Sequence, residues 1–245
     1  MDIVFVHGGG QGGWTWNQTI AAMELQEPGA HRLIALDVPG CGSKRTRETD
    51  AIAFPEIIDE LLAELDAAGV TRAVLVGHSQ AGTIIPAMIA RRPGLCRLAI
   101  HASCVAPVNG MTVLETAKAL QSAPEAPLYG VFGNPQVPQR EQYRGMFCDD
   151  MGPAQAEAFL DLLGQDTWPL SSAAWTDWTY DHLAAVPSTY VLCLEDRILP
   201  PEAQEAFAVR LHCGRIVRID AGHQVQNTRP QALAEILRLE VNPPA

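Results

Sequence analysis

The 245-residue sequence predicts an α/β fold, a mostly parallel sheet of about six strands with helices on both faces and a helical cap. Two observations carry this expectation. Short, almost wholly apolar runs recur along the chain, and longer segments of helical periodicity separate them. Strands that read as continuous apolar runs are buried on both faces, as in a parallel sheet covered by crossover helices. The length suits one such unit, so residues 1–245 are expected to form a single domain.

The strands are read in order from DIVFVH, HRLIALDV, RAVLVG, CRLAIHA, TYVLCLE and GRIVRID. FPEIIDELLAELDAAGV fills one gap between them as a helix. Pro55 suits its first turn, Ile58, Leu61, Leu62 and Leu65 repeat on one face, and Gly69 suits its stop. A second helix is predicted from about Ala81 to Arg91, with Pro86 expected to kink it by removing a bond to Gly82. Between Cys104 and Pro187 no strong strand is legible. MTVLETAKAL and GPAQAEAFLDLLG sit there among Pro, Gly and aromatic residues, which reads as a helical cap inserted over about 105–186.

Composition narrows the function. A formal net charge of -11 offers nothing to a phosphate backbone or an anionic membrane, so neither nucleic acid nor membrane is an expected partner. The chain opens on a core strand without the basic and small-residue pattern of a signal peptide, and no apolar run reaches transmembrane length. A cytoplasmic location is the expectation. The six cysteines show no metal-ligand spacing and are expected to be reduced and mostly buried. The sequence leaves a homodimer open.

Ser79 lies in LVGHSQAGTII, at the turn between an apolar strand and a helix. A serine there projects its hydroxyl above the carboxyl end of the sheet, and the helix N-terminus offers N–H groups to a developing oxyanion. The bland alternative is a helix-capping serine. A hydroxyl needs a base to become a nucleophile, and the base needs a carboxylate to orient it. His223 follows the strand GRIVRID and Asp196 follows TYVLCLE, so nucleophile, acid and base each come after a different strand. Glu195 and, more weakly, Asp220 rival Asp196. The glycines of HGGGQGGWTW lack the Lys-Ser/Thr ending of a phosphate loop. They read instead as a loop whose Gly9 N–H joins that of Gln80 in an oxyanion hole.

With HGGGQGGWTW, GHSQAG, EDRILP and AGH in this order, the chain resembles the α/β-hydrolase superfamily over nearly its whole length. Its first motif is similar to that of the plant methylesterase and hydroxynitrile lyase group and its bacterial esterase relatives. The resemblance implies Ser79 as nucleophile, His223 as base, Asp196 as its orienter, and Gly9 and Gln80 as oxyanion donors. Two departures stand out. The lyases' threonine and lysine positions hold Gly8, Gly9 and Gln224 here, which disfavours cyanohydrin cleavage. Ala81 also replaces the second glycine of the turn.

The expected activity is hydrolysis of a small carboxylic ester or lactone through an acyl-enzyme, with a small-molecule substrate and no metal or organic cofactor. The alternatives on the same fold are a cofactor-free dioxygenase or C–C bond-cleaving enzyme, and a small-molecule receptor with slow turnover. Trp168, Trp175, Trp178, Tyr180, Phe147 and Met111 are the candidates to line the substrate pocket. Against that stands the possibility that cap aromatics form a small core of their own.

Overall fold

The structure, a computed structural model, describes residues 1–121 and 135–242. Its strands are β1 (Asp2–Val6), β2 (Arg32–Leu36), β3 (Ala73–His78), β4 (Cys96–Ala102), β5 (Ser188–Cys193) and β6 (Arg215–Ile219). They form one sheet in the order β2-β1-β3-β4-β5-β6. Every pairing is parallel, so the sheet is more uniform than the mostly parallel one expected.

Side chains alternate across the strands and both faces are covered. Ile3, Phe5, Val74, Val76, Ile100 and Val191 pack with Trp16 against α1 (Asn17–Gln26) and α10 (Pro230–Val241). Val4, Val6, Leu75 and Leu192 face α2 (Phe54–Ala67), α3 (Ala81–Arg91) and α8 (Pro201–Arg210). Each fully buried aliphatic side chain stabilises by about 1.5–3 kcal/mol relative to exposure, which is why the apolar runs are so continuous.

The helix signals act where the sequence places them. Pro55 lies in the first turn of α2, and Gly69, at φ 69°, follows its end. Pro86 lies inside α3 without ending it. Gly82 on the same helix sits so close to the turn after β4 that a Cβ there would fall 2.2 Å from the Val105 carbonyl oxygen.

Between β4 and β5 the described elements are α4 (Val113–Gln121), α5 (Gln139–Phe147), α6 (Pro153–Leu163), α7 (Leu170–Ala174) and a 3-10 turn at Asp181–Ala185. α4 and α6 fall on the two helical segments read from the sequence. α5 and α7 were not foreseen individually. Part of the expected 105–186 insertion, residues 122–134, lies outside the described residues.

The sheet order reverses direction between β1 and β3. In parallel sheets a ligand crevice opens at such a switch point, outside the strands' carboxyl ends. The loop after β1 and the turn after β3 meet there.

Candidate active site

Ser79 occupies the turn between β3 and α3 at φ 53°, in the left-handed region that is costly for a residue with a Cβ. The turn is held from β4: Ser79 N–H donates to the Ala102 carbonyl (3.2 Å) and Ser79 C=O accepts Val105 N–H (3.0 Å). Small neighbours make this possible. A Cβ on Gly77 would lie 2.9 Å from that of Ala81, so alanine is tolerated at 81 because residue 77 is glycine.

The Ser79 hydroxyl lies 3.0 Å from His223 Nε2, and His223 Nδ1 lies 2.7 Å from Asp196 Oδ2. His223 and Asp196 are buried, with side chains 1% and 0% exposed. Asp196 Oδ1 accepts the N–H groups of Ile198 (2.8 Å) and Leu199 (2.9 Å), so the EDRILP segment folds around its own carboxylate. The rivals stand elsewhere. Glu195 and Asp220 are exposed, and their side chains make no bond to His223 among the described residues.

Beneath His223 lies His78, with ring centroids 4.7 Å apart. His78 Nε2 faces the His223 carbonyl at 2.8 Å, and Gln226 Nε2 faces His78 Nδ1 at 3.2 Å. The carbonyl requires a donor and the amide an acceptor, which fixes a neutral imidazole protonated at Nε2. Burial and the neighbouring His223 push the His78 pKa well below its usual value, in agreement with that state. His78 thus holds the backbone of His223 in place.

The glycine loop after β1 presses on the serine turn. A Cβ on Gly8 would lie 2.9 Å from Ser79 Cβ, and one on Gly9 would lie 2.3 Å from Gln80 Oε1. Neither the Gly9 nor the Gln80 N–H donates a hydrogen bond within the described residues. The loop is pinned from outside: Asp37 accepts Gly13 N–H (2.6 Å), and Asp166 accepts Trp14 Nε1–H (2.7 Å). Burial pushes the Asp37 carboxyl up, but its bonds from Ser43 and Gly13 outweigh that and hold it below its usual value.

The six pocket candidates separate. Phe147 stands against the site, its ring 5.9 Å from that of His223, and Trp168 meets the ring of His7 at 5.7 Å, just before the glycine loop. Trp175 and Trp178 pack on Phe54 instead, at 5.1 Å and 5.6 Å. Trp178 also donates to the Met111 carbonyl. Trp175 and Trp178 form the cap's seat on α2, the small-core alternative, and the Met111 backbone is tied to that seat. Tyr180 is buried, its hydroxyl without a partner among the described residues.

Two residues near His223 are not among those the sequence singles out. Ser103, buried at the end of β4, donates to Asp196 Oδ2. Asp150 of the cap accepts Gly222 N–H at 2.9 Å. A serine just past the apolar CRLAIHA run is the one hint that was available for the first.

A serine on a strained strand-to-helix turn, aligned with a histidine and a buried carboxylate beside two backbone N–H groups that have no acceptor among the described residues, is the arrangement of a nucleophilic hydrolase fold. The chain belongs to the α/β-hydrolase family, whose model matches residues 3–236. It is similar to salicylic acid-binding protein 2 of Nicotiana tabacum (24% identical, covering 96% of this chain and 94% of that one). It is also similar to esterase PIR7B of Oryza sativa subsp. japonica (27%, covering 96% and 93%). Among solved structures, an extracellular α/β-hydrolase from a Paenibacillus species shares the fold, with TM-score 0.76, 19% identity and full coverage of both chains. No helix among the described residues is long and apolar enough to cross a membrane.

Proposed function

We propose that the chain is a serine esterase that hydrolyses a small carboxylic ester or lactone through Ser79, His223 and Asp196. The observation that carries this reading is the hydrogen-bonded line from the Ser79 hydroxyl through His223 to Asp196, at 3.0 Å and 2.7 Å. The esterase names of several relatives support an ester as substrate.

In the first half-reaction His223 Nε2 takes the Ser79 proton as Oγ bonds to the carbonyl carbon. The carbonyl oxygen gains the negative charge and meets the N–H groups of Gly9 and Gln80, each supplying about 3 kcal/mol of transition-state stabilisation. Collapse breaks the bond to the alcohol, which leaves with the proton from His223. In the second half-reaction His223 takes a proton from water, which attacks the acyl carbon. Ser79 then leaves with that proton. For a lactone the alcohol stays tethered and the product is one hydroxy acid. Phe147 borders the reacting centre, and Trp168 stands behind the glycine loop against His7.

The tobacco relative's name favours a second reading, a receptor that binds a small aromatic acid. Turnover separates the two. The serine reading predicts hydrolysis of short aryl, methyl or lactone esters, falling about a thousandfold or more in Ser79→Ala. Tight binding of aromatic acids with no turnover of any ester would favour the receptor.

A further inference from the structure

The proposed chemistry makes no use of the hydroxyl at residue 103, yet the turn that carries it touches both ends of the catalytic line. Ala102 and Val105 hold the Ser79 backbone, as described above. Between them, Ser103 N–H donates to the Val191 carbonyl (3.0 Å), and the Cys104 carbonyl accepts the Tyr190 hydroxyl (2.7 Å). The Ser103 hydroxyl donates to Asp196 Oδ2, the oxygen that faces His223 Nδ1, and lies 3.4 Å from that nitrogen itself.

We propose that Ser103 is a positioning residue: its hydroxyl fixes the Asp196 carboxylate, and through it sets the aim and proton affinity of His223. The inference rests on the serine-esterase reading.

Three observations converge on this assignment. Ser103 sits at φ 42°, where glycine is the inexpensive choice, so the turn accepts strain to keep a side chain. That side chain is fully buried, so its polarity does not serve solvent. Its acceptor is a carboxylate oxygen, and hydrogen bonds to an ionised group are about twice as strong as neutral ones. Without the hydroxyl, Asp196 Oδ2 would keep His223 as its one donor among the described residues. The less satisfied carboxylate would hold the imidazolium more tightly and be freer to rotate.

The other titratable groups facing His223 are left in place by a change at Ser103. They are His78 under its ring and, at the preceding Gly222, Asp150 with Arg229 and Asp149 with Arg197. A change in the pH profile is therefore assignable to the Asp196 contact.

The test measures the rate of Ser79 modification by an alkyl fluorophosphonate from about pH 5 to 9, alongside kcat and KM on p-nitrophenyl acetate. The proteins are the parent chain, Ser103→Ala, Ser103→Gly and Ser103→Thr. The alanine and glycine variants are expected to react about tenfold more slowly or worse, with KM within about twofold. Their acid limb should move to higher pH, whereas Ser103→Thr, which keeps the hydroxyl, should leave the acid limb at the parent's pH even though a β-branched residue at φ 42° lowers stability. Glycine also relieves the strained backbone, so a loss of rate in a variant more resistant to heat assigns the effect to the hydroxyl. If alanine does not fold, glycine decides. A glycine variant with the parent's rate and an unmoved acid limb overturns the assignment alone. A parent chain that is not modified at Ser79 overturns both it and the serine-esterase reading.

Discussion

Asp150, from the cap, accepts the backbone N–H of Gly222 at 2.9 Å, one residue before His223. The cap therefore holds the main chain beside His223, in addition to meeting its ring through Phe147. A Cβ on Gly222 would lie 2.8 Å from the carboxylates of both Asp149 and Asp150, which explains the glycine in AGH. Burial first, and then the neighbouring Asp150, push the Asp149 carboxyl up. Arg197 and Arg229 stand against the pair at 3.4 Å and 3.6 Å. Loss of the acceptor in Asp150→Ala should lower kcat about three- to tenfold, whereas Asp150→Asn, which keeps a carbonyl oxygen, should recover most of it. Steady-state ester hydrolysis checks this, and an Asp150→Ala variant that keeps the parent's kcat would show that the Gly222 bond does not position His223.

The strain at Ser79 predicts a stability change opposite to the activity change. Glycine at φ 53° is relaxed, so Ser79→Gly should stabilise the fold by about 1 kcal/mol while abolishing turnover. Ser79→Ala retains the strain and should show no such gain. Urea unfolding of the two variants side by side measures the difference.

Gly82 predicts the reverse case. Its Cβ would meet the Val105 carbonyl oxygen at 2.2 Å and Cys104 Cβ at 2.9 Å. The first of these is rigid backbone and the second a buried side chain's root. Gly82→Ala should therefore cost about 2–3 kcal/mol and lower activity too, because Val105 also holds Ser79. Gly94, with open space around its Cβ position, is the internal control, and alanine there should be neutral or slightly stabilising.

His101, in the middle of the sheet, predicts a pH effect on stability. It is fully buried, neither ring nitrogen has a partner among the described residues, and burial pushes its pKa down to about 4. In the unfolded chain the same group titrates near 6.5. Between these values the unfolded chain binds more protons, so this residue's contribution is fully present above about pH 6.5 and lost as pH falls toward 4. The loss from this residue is about 3 kcal/mol. His7 and His78, also pushed down chiefly by burial, act with the same sign. His101→Leu should flatten the acid side of the stability curve without abolishing the slope. Denaturant unfolding at about pH 7 and pH 5 measures it, and a variant as acid-sensitive as its parent would contradict it.

The six strands were legible because a parallel sheet buried on both faces writes each strand as an unbroken apolar run. Ser79, Asp196 and His223 were legible because each stands just past such a run, at the edge where the strands end. Ser103 meets the same description but needs a spatial partner to acquire meaning. Its carboxylate lies 93 residues away and is brought near by the β4–β5 pairing. Asp150 was hidden for a like reason, since its bond to Gly222 spans 72 residues from a helical insertion to a late loop. Composition showed that the cap is rich in aromatics but not which way they face. Trp175 and Trp178 turned to Phe54, and Phe147 to His223.

The most direct test of the central claim is rapid-quench mass analysis of the chain mixed with p-nitrophenyl acetate, followed by peptide mapping. The account predicts one acetyl group per chain, carried on Ser79, absent from Ser79→Ala and slow to form in His223→Ala. Ester turnover with no acyl group on Ser79, or an acyl group that persists in Ser79→Ala, would contradict it.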